Sequence, residues 1–508
     1  MVTSIGVTCA AALTLPLAAP ALSAPVPHAS AARPPSLSPE SPGAGPPAVR
    51  TADPGAAEDR STESPATESP ATESPATEDR SAGLAGSTQS LPLEPLATPS
   101  DRSAGPADPG RGLDRRTTRP FSLVGVVWDD AGAELHGRVQ VRTRAVGGGG
   151  WSGWQDVETH NAEHAADLDS DERASGTVRG ATAPLWVGAS DGVEVRVHPE
   201  AADEQGRSIA VRLPEGLRLE LVDPGPDPVS AGEAAGGRTA VPAGLAVHPG
   251  PPPAGTAAVV PEALTAESAA ASAVNAELAP LGASVIPALS EAETAEAAEF
   301  NAPGAKPYIG PRPKIITRKG WGADEKLRER NFAYTRTVKA AFVHHSATGN
   351  NYTCKQAPSV LRSIYRYHVK SSGWRDFGYN FAVDKCGNIY EGRAGGVSRP
   401  VLGAHTLGFN SNTMGIAVLG SYSSTTPPAA AVTAVAKLTA WKLGLFGGNP
   451  KGKVTLVSGG SNKYKKGKKV KLNVISGHRD GFATECPGAR LYKKLGKART
   501  SSARLQGR

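Results

Sequence analysis

The sequence predicts an α/β C-terminal domain with a central mixed β-sheet and flanking helices, preceded by a small all-β sandwich and set among long disordered linkers. Three observations carry that reading. Beyond residue 312, short apolar runs alternate with stretches whose apolar residues recur at helical spacing. Between Phe121 and Val222, short runs alternate with period two and are broken by Gly, Asp or Pro. The remainder is too rich in Pro, Ala, Ser and Glu to bury a core. The 508 residues include 44 Pro and 58 Gly with only 5% aromatics, so of the three or so domains that ~150 residues each would allow, two are expected to fold.

Residues 1–25, an apolar run ending in small residues around Ala21 to Ala24, read as a secretory signal that lacks the usual positive start. Residues 26–117 read as a disordered spacer, with TESPA repeated at Thr62–Ala66, Thr67–Ala71 and Thr72–Ala76. Residues 118–222 carry the strand-like runs FSLVGVVWDD, ELHGRVQVRTRA, APLWVGAS, GVEVRVHP and LRLELVDP. Trp128 and Trp186 are expected in that core, while Trp151 and Trp154 sit at a loop edge where a sugar face could stack. His160 and His164, in THNAEH, have the i, i+4 spacing of a metal pair. No helical period or third ligand accompanies them, so they read as exposed loop histidines. Residues 223–311 read as a second linker, since no apolar face recurs through their Ala/Glu-rich part.

In residues 312–497, KAAFVHHSA is a strand, followed by a helix over Lys355–Lys370 with Val360, Leu361, Ile364 and Tyr367 at helical spacing. FGYNFAVDKCGNIYEGR reads as a hairpin turning at Gly387-Asn388. The buried strand TMGIAVLGSY precedes a helix over Pro428–Leu445 with Val432, Val435, Leu438 and Trp441 on one face. VTLVSG and VKLNVISG close the unit, leaving 498–508 as a basic tail.

The formal charge of +7 hides a division. Residues 312–508 hold 35 Lys+Arg against 8 Asp+Glu, and the rest hold 20 against 40. The basic unit is expected to meet anionic wall polymers through Lys463, Lys465, Lys466, Lys468 and Lys469 of KYKKGKKVK. Nucleic acid is not the expected partner, because Tyr464 is the lone aromatic in the run and the chain reads as exported. No run of ~18 apolar residues follows the N-terminus, which excludes a channel or transporter. The chain is expected to be a secreted, wall-associated monomer.

If Cys9 leaves with the signal, three cysteines remain, Cys354, Cys386 and Cys486. In an oxidising compartment an odd number means one is free, intermolecular or held by a metal. His344 in FVHHS, with His478 and Cys486 in GHRDGFATECPG, offers two imidazoles and a thiolate, a donor set suited to zinc with a fourth position left for water. Cys354 and Cys386 can then pair. His345 follows His344 on a strand and points to the other face, which gives it a structural role.

HHSA, GWRDFGYNFAVDKCGNIYEGR, GAHTLGFNSNTMGIAVLGSY and GHRDGFATECPGARLY occur in this order. Together they resemble the peptidoglycan recognition protein family within the zinc-dependent type 2 amidases, over about Lys314 to Leu495. The resemblance implies zinc held by His344, His478 and Cys486, and hydrolysis of the amide between the lactyl group of N-acetylmuramic acid and L-alanine. It implies catalytic roles for Tyr379 and Thr484 and substrate contacts for His405, Asn410 and Arg393. Arg479 and Asp480 are a candidate pair orienting His478, and a Cys354 to Cys386 disulfide would tie a helix start to the hairpin turn. The alternative is a non-catalytic peptidoglycan-binding protein; members of that kind commonly lack the cysteine.

Overall fold

The computed structural model describes residues 86–96, 110–159, 161, 163–200, 211–227, 283–301 and 308–508. The expected signal at 1–25 lies outside them, as do the TESPA repeats. The upstream domain consists of β1 (Ser87–Pro92), β2 (Glu94–Pro95), β3 (Arg111–Trp128), β4 (Gly137–Ala145), β5 (Gln155–Val157), β6 (Gly180–Ala181), β7 (Leu185–Pro199) and β8 (Arg218–Asp223), with one short helix, α1 (Asp171–Ala174). They form an eight-stranded sheet in the order β1-β8-β3-β7-β4-β5, with β2 and β6 also on β3. Every pairing is antiparallel. Register shifts between Leu113 and Arg116 and between Thr117 and Phe121 interrupt the long β3–β7 ladder, the irregularity that lets a long strand bend. Alternate residues such as Val139 and Val141 of β4 and Val193, Val195 and Val197 of β7 fill the core, which includes Trp128.

The spacer expected to run to residue 117 is corrected here, because residues 87–95 and 111–117 belong to this sheet. STQSLP shows no apolar alternation because β1 is held by backbone pairing with β8, from Ser87 opposite Asp223 to Pro92 opposite Arg218. Leu93 just beyond it enters the core.

The C-terminal sheet has seven strands: β9 (Val285–Ile286), β10 (Ile315–Ile316), β11 (Ala340–His345), β12 (Phe381–Val383), β13 (Ile389–Glu391), β14 (Thr413–Val418) and β17 (Ile475–Gly477). Their order is β17-β11-β14-β12-β13-β10-β9. β11 runs parallel to both neighbours, and all six of its residues are buried, which is why it reads as a continuous run rather than an alternating one. β15 (Lys453–Val457) and β16 (Lys469–Asn473) pair as a separate hairpin, so of the two closing runs only Ile475–Gly477 reaches the main sheet.

Helices pack on the sheet. The expected helix over 355–370 is a 3-10 turn at Cys354–Gln356, a regular helix at Ala357–Arg366 and a wide turn at Tyr367–Ser371. The later one spans Ala429–Gly444 and packs Val432, Val435, Leu438 and Trp441 into the core, as its spacing predicts. Two boundaries are corrected. In the expected second linker, β9 pairs with β10, and a helix over Glu291–Asn301 opens with reciprocal Ser290 and Glu293 caps. The expected tail is a helix over Leu495–Leu505, where Ser502 accepts a 3.0 Å hydrogen bond from Thr439. Beyond Leu495, its buried face is Ala498, Ser502 and Ala503, too small and polar to register as an apolar stripe.

The two domains share one hydrophobic cluster. Leu123, Val127, Trp186 and Val222 of the upstream sheet pack with Val360, Leu361, Ile364, Phe377 and Tyr379. The Tyr367 hydroxyl, fully buried, donates to the Thr182 carbonyl at 3.1 Å. A Cβ at Gly125 would lie 2.4 Å from that hydroxyl oxygen, so glycine is required where the helix meets the sheet.

Candidate metal centre

Parallel pairing sets Gly477 opposite Val343. His344 and His478, each one residue further on, therefore emerge side by side with ring centroids 4.4 Å apart. The chain then returns through a loop closed by the Arg479 N–H donating to the Cys486 carbonyl at 3.0 Å. That places Cys486 Sγ 3.7 Å from His344 Nδ1. His345 points the other way, as strand alternation requires, and its Nδ1 accepts from the Tyr422 N–H at 3.2 Å. Burial, with a smaller contribution from Arg479, lowers its pKa to about 4.

A fourth side chain joins this group. His164, from the loop after β5, sits with Nε2 3.2 Å from His478 Nδ1, and its ring centroid is 5.2 Å from that of His344. One donor atom from each of His164, His344, His478 and Cys486 lies within 4.8 Å of the others, and all four residues are buried. The expectation of an exposed loop histidine is therefore corrected for His164, while His160 lies outside the described residues. Its companions are separated from it by 180 residues or more of chain, so no local spacing could reveal them.

The donor set fits zinc. Nitrogens at ~2.05 Å and a sulfur at ~2.3 Å from a tetrahedral ion are roughly 3.3 Å (N···N) and 3.6 Å (N···S) apart, close to the observed 3.2 and 3.7 Å. Burial, reinforced by the neighbouring imidazoles, drives the pKa of His164, His344 and His478 well below the usual histidine value, which keeps their lone pairs available. Burial likewise raises the Cys486 thiol, and a bound cation is what would bring it to thiolate.

Tyr379 stands beside the cluster, its ring centroid 5.2 Å from that of His344. Burial, helped by Cys486 and Glu163, holds its pKa well above the usual phenol value, so the hydroxyl stays a donor. The Thr484 hydroxyl accepts from the Cys486 N–H at 3.0 Å and donates to Glu163 at 2.7 Å. Arg393 forms two 2.8 Å hydrogen bonds with the carboxylate of Glu172. The Asn410 amide donates to the Ala165 carbonyl and to Asp167, both at 2.8 Å.

Residues 334–489 match the family described as N-acetylmuramoyl-L-alanine amidase, and residues 59–212 match one described as Rv3811 N-terminal galactose-binding domain-like. Peptidoglycan-recognition protein SC2 of Drosophila melanogaster is 31% identical over 183 residues, which is 36% of this chain and 84% of that protein. The chain belongs to the peptidoglycan recognition protein family. Human N-acetylmuramoyl-L-alanine amidase is 31% identical over 187 residues, 36% of this chain and 28% of the human protein. The solved structure of Drosophila PGRP-LB is 26% identical over 36% of this chain and 92% of its own, with a TM-score of 0.29.

In this recognition-protein domain one expected role needs correction, that of Arg479 and Asp480. His405 is fully buried. Its ring centroid is 5.4 Å from that of His344 and 6.1 Å from that of Phe342. Thr406, which the motif reading passed over, bridges the two histidines, its hydroxyl 3.0 Å from His405 Nδ1 and 3.4 Å from His344 Nε2. Arg479 and Asp480 do not pair. Asp480 accepts from the Gly477 N–H and the Tyr492 hydroxyl, and Arg479 bonds Glu485. The Cys354–Cys386 disulfide is formed, and Cys486 is the free cysteine among the described residues. The Trp154 ring lies against Arg142 and Arg196, with guanidinium carbons 4.7 and 4.2 Å from its centroid, and Arg115 and Arg142 approach Trp151. The ring surface expected to meet sugar is thus shared with cation–π contacts.

Proposed function

We propose that the chain is a secreted, wall-associated, zinc-dependent N-acetylmuramoyl-L-alanine amidase that hydrolyses the amide between the lactyl group of N-acetylmuramic acid and L-alanine in peptidoglycan. The observation that supports this most is the convergence of His344, His478 and Cys486 beside the buried Tyr379, whose ring centroid is 5.2 Å from that of His344. When bound, zinc supplies a water with a pKa near ~7 and a Lewis acid for the amide carbonyl. The chain's own groups do the positioning. Thr406 fixes the orientation of the His344 ring. Tyr379 donates to the oxygen on which negative charge develops, a contribution typically worth about 2.7–4 kcal/mol. Thr484 pins the Cys486 backbone through its N–H and so holds the sulfur in place. The exposed lysines 463, 465, 466 and 468 on the β15–β16 connection, with Lys469 at the start of β16, retain the protein on anionic wall polymers.

The test is release of new L-alanine amino ends from purified peptidoglycan, identified by mass spectrometry with and without a chelator. Because His164 shares the cluster, the assay includes both the full-length protein and its His164→Ala form. No chelator-sensitive release from either would sink the amidase reading.

A further inference from the structure

Residues 163–177 of the upstream domain lie across the face of the C-terminal domain that carries the expected catalytic and substrate-contact residues. The contacts run in chain order. The Glu163 carbonyl accepts from the Leu407 N–H at 3.0 Å, and its carboxylate accepts from Thr484. His164 enters the metal cluster. The Ala165 carbonyl and Asp167 take the Asn410 amide, and Asp167 also accepts from the Gly408 N–H at 2.7 Å. Glu172 forks onto Arg393 and accepts from the Arg375 N–H at 3.1 Å. The Thr177 hydroxyl donates to the Gly373 carbonyl at 3.0 Å. Thr484, Asn410 and Arg393 are thus all engaged by this one segment.

We propose that His164 is the fourth protein ligand of the zinc centre and that residues 163–177 are a built-in plug, so that the chain folds in a latent form. The inference rests on the reading of the cluster as a zinc site. Closed four-ligand zinc sites are structural, whereas hydrolytic ones keep a position open for water. A His3Cys set built from His164, His344, His478 and Cys486 is closed. The chemistry of the contacts indicates how it opens. The plug is held by hydrogen bonds and ion pairs, which water or a polar ligand can replace. The domain behind it is held by the shared apolar cluster around Trp186, Leu123 and Tyr367, which water cannot replace. Opening is therefore local to the segment, which among the described residues between β5 and β6 carries only the four-residue α1 as regular structure, and the upstream domain stays docked.

The experiment uses the full chain loaded with Co2+ in place of zinc. X-ray absorption on the wild-type protein is expected to show three imidazoles and one sulfur, and its visible spectrum to be unchanged by thiocyanate. His164→Ala is expected to show two imidazoles, a spectrum that titrates with thiocyanate, and metal loss to a chelator at least about tenfold faster. The wild-type measurement decides the matter even if the variant folds poorly. Two imidazoles and a thiocyanate-sensitive spectrum in the wild type would overturn the inference alone. No bound metal in either protein overturns the zinc reading and the inference with it. Three imidazoles and a thiocyanate-insensitive spectrum in a wild type that nevertheless cuts peptidoglycan upholds the ligand and overturns the plug.

Discussion

Glu172→Gln keeps the shape of the side chain and removes its charge, which isolates what the ion pair across the domain boundary contributes. Both side chains of the pair are 7% exposed. The other acceptors of the Arg393 guanidinium are the neutral carbonyls of Phe377 and Leu402, and the neighbouring Asp376 is already bonded to Arg318 at 3.0 Å. The substitution therefore strands a buried cation. Removing one partner of such a pair costs about 3–5 kcal/mol. Asp156→Asn is the internal control, because the Arg138–Asp156 pair is 51% and 62% exposed and exposed pairs contribute no more than about 1 kcal/mol.

The pH dependence supplies a second reading of the same pair. Burial alone would raise the Glu172 pKa, but the charge and hydrogen bonds of Arg393, with the Arg375 N–H, outweigh it and hold the carboxyl below its ordinary 4.5. A group depressed on folding contributes stability that is complete above its unfolded pKa and is lost as pH falls through the folded one. Urea titrations at pH 7 are thus expected to show Glu172→Gln about 3–5 kcal/mol less stable than wild type, with the gap closing progressively below pH ~4. A loss at pH 7 no larger than that of Asp156→Asn, or a gap that persists in acid, refutes the reasoning.

Three further outcomes are expected. Cys354 and Cys386 are 32 residues apart, so replacing both with Ala should cost roughly 3.7 kcal/mol by loop-closure entropy, read by urea denaturation; a loss under ~1 kcal/mol would show that the reduced chain is already ordered there. On the His164→Ala background, Tyr379→Phe should leave metal content unchanged while turnover falls about 100- to 1000-fold, and undiminished turnover removes Tyr379 from the chemistry. Converting Lys465, Lys468 and Lys469 to Gln should weaken retention on purified walls and flatten its dependence on salt concentration; an unchanged salt slope would assign retention to another surface.

Much of the C-terminal domain was legible in the residues because its signals are local. The unbroken apolar run of β11, the helical spacing of Val432, Val435, Leu438 and Trp441, and the hairpin connection that carries Gly387-Asn388 each lie within a few residues of chain. His344, His478 and Cys486 could be assembled on paper because the donor chemistry, the odd cysteine and the order of the surrounding motifs agree. Short edge strands such as Ser87–Pro92 and Val285–Ile286 left no such trace, since backbone hydrogen bonds hold them and one inward residue each, Leu91 and Ile286, is too few to make a pattern.

By itself the sequence determined the family, the mixed-sheet domain, the disulfide partners, the division of charge and three of the four clustered donors. Tertiary structure alone decided that His405 and Thr406 lie beside His344, that the tail is a packed helix, and that the two domains share a core. It also decided the place of His164. A loop histidine with no periodicity around it acquires its surroundings only when an apolar interface docks its domain against the other, and that docking follows from the fit of two surfaces rather than from any spacing along the chain.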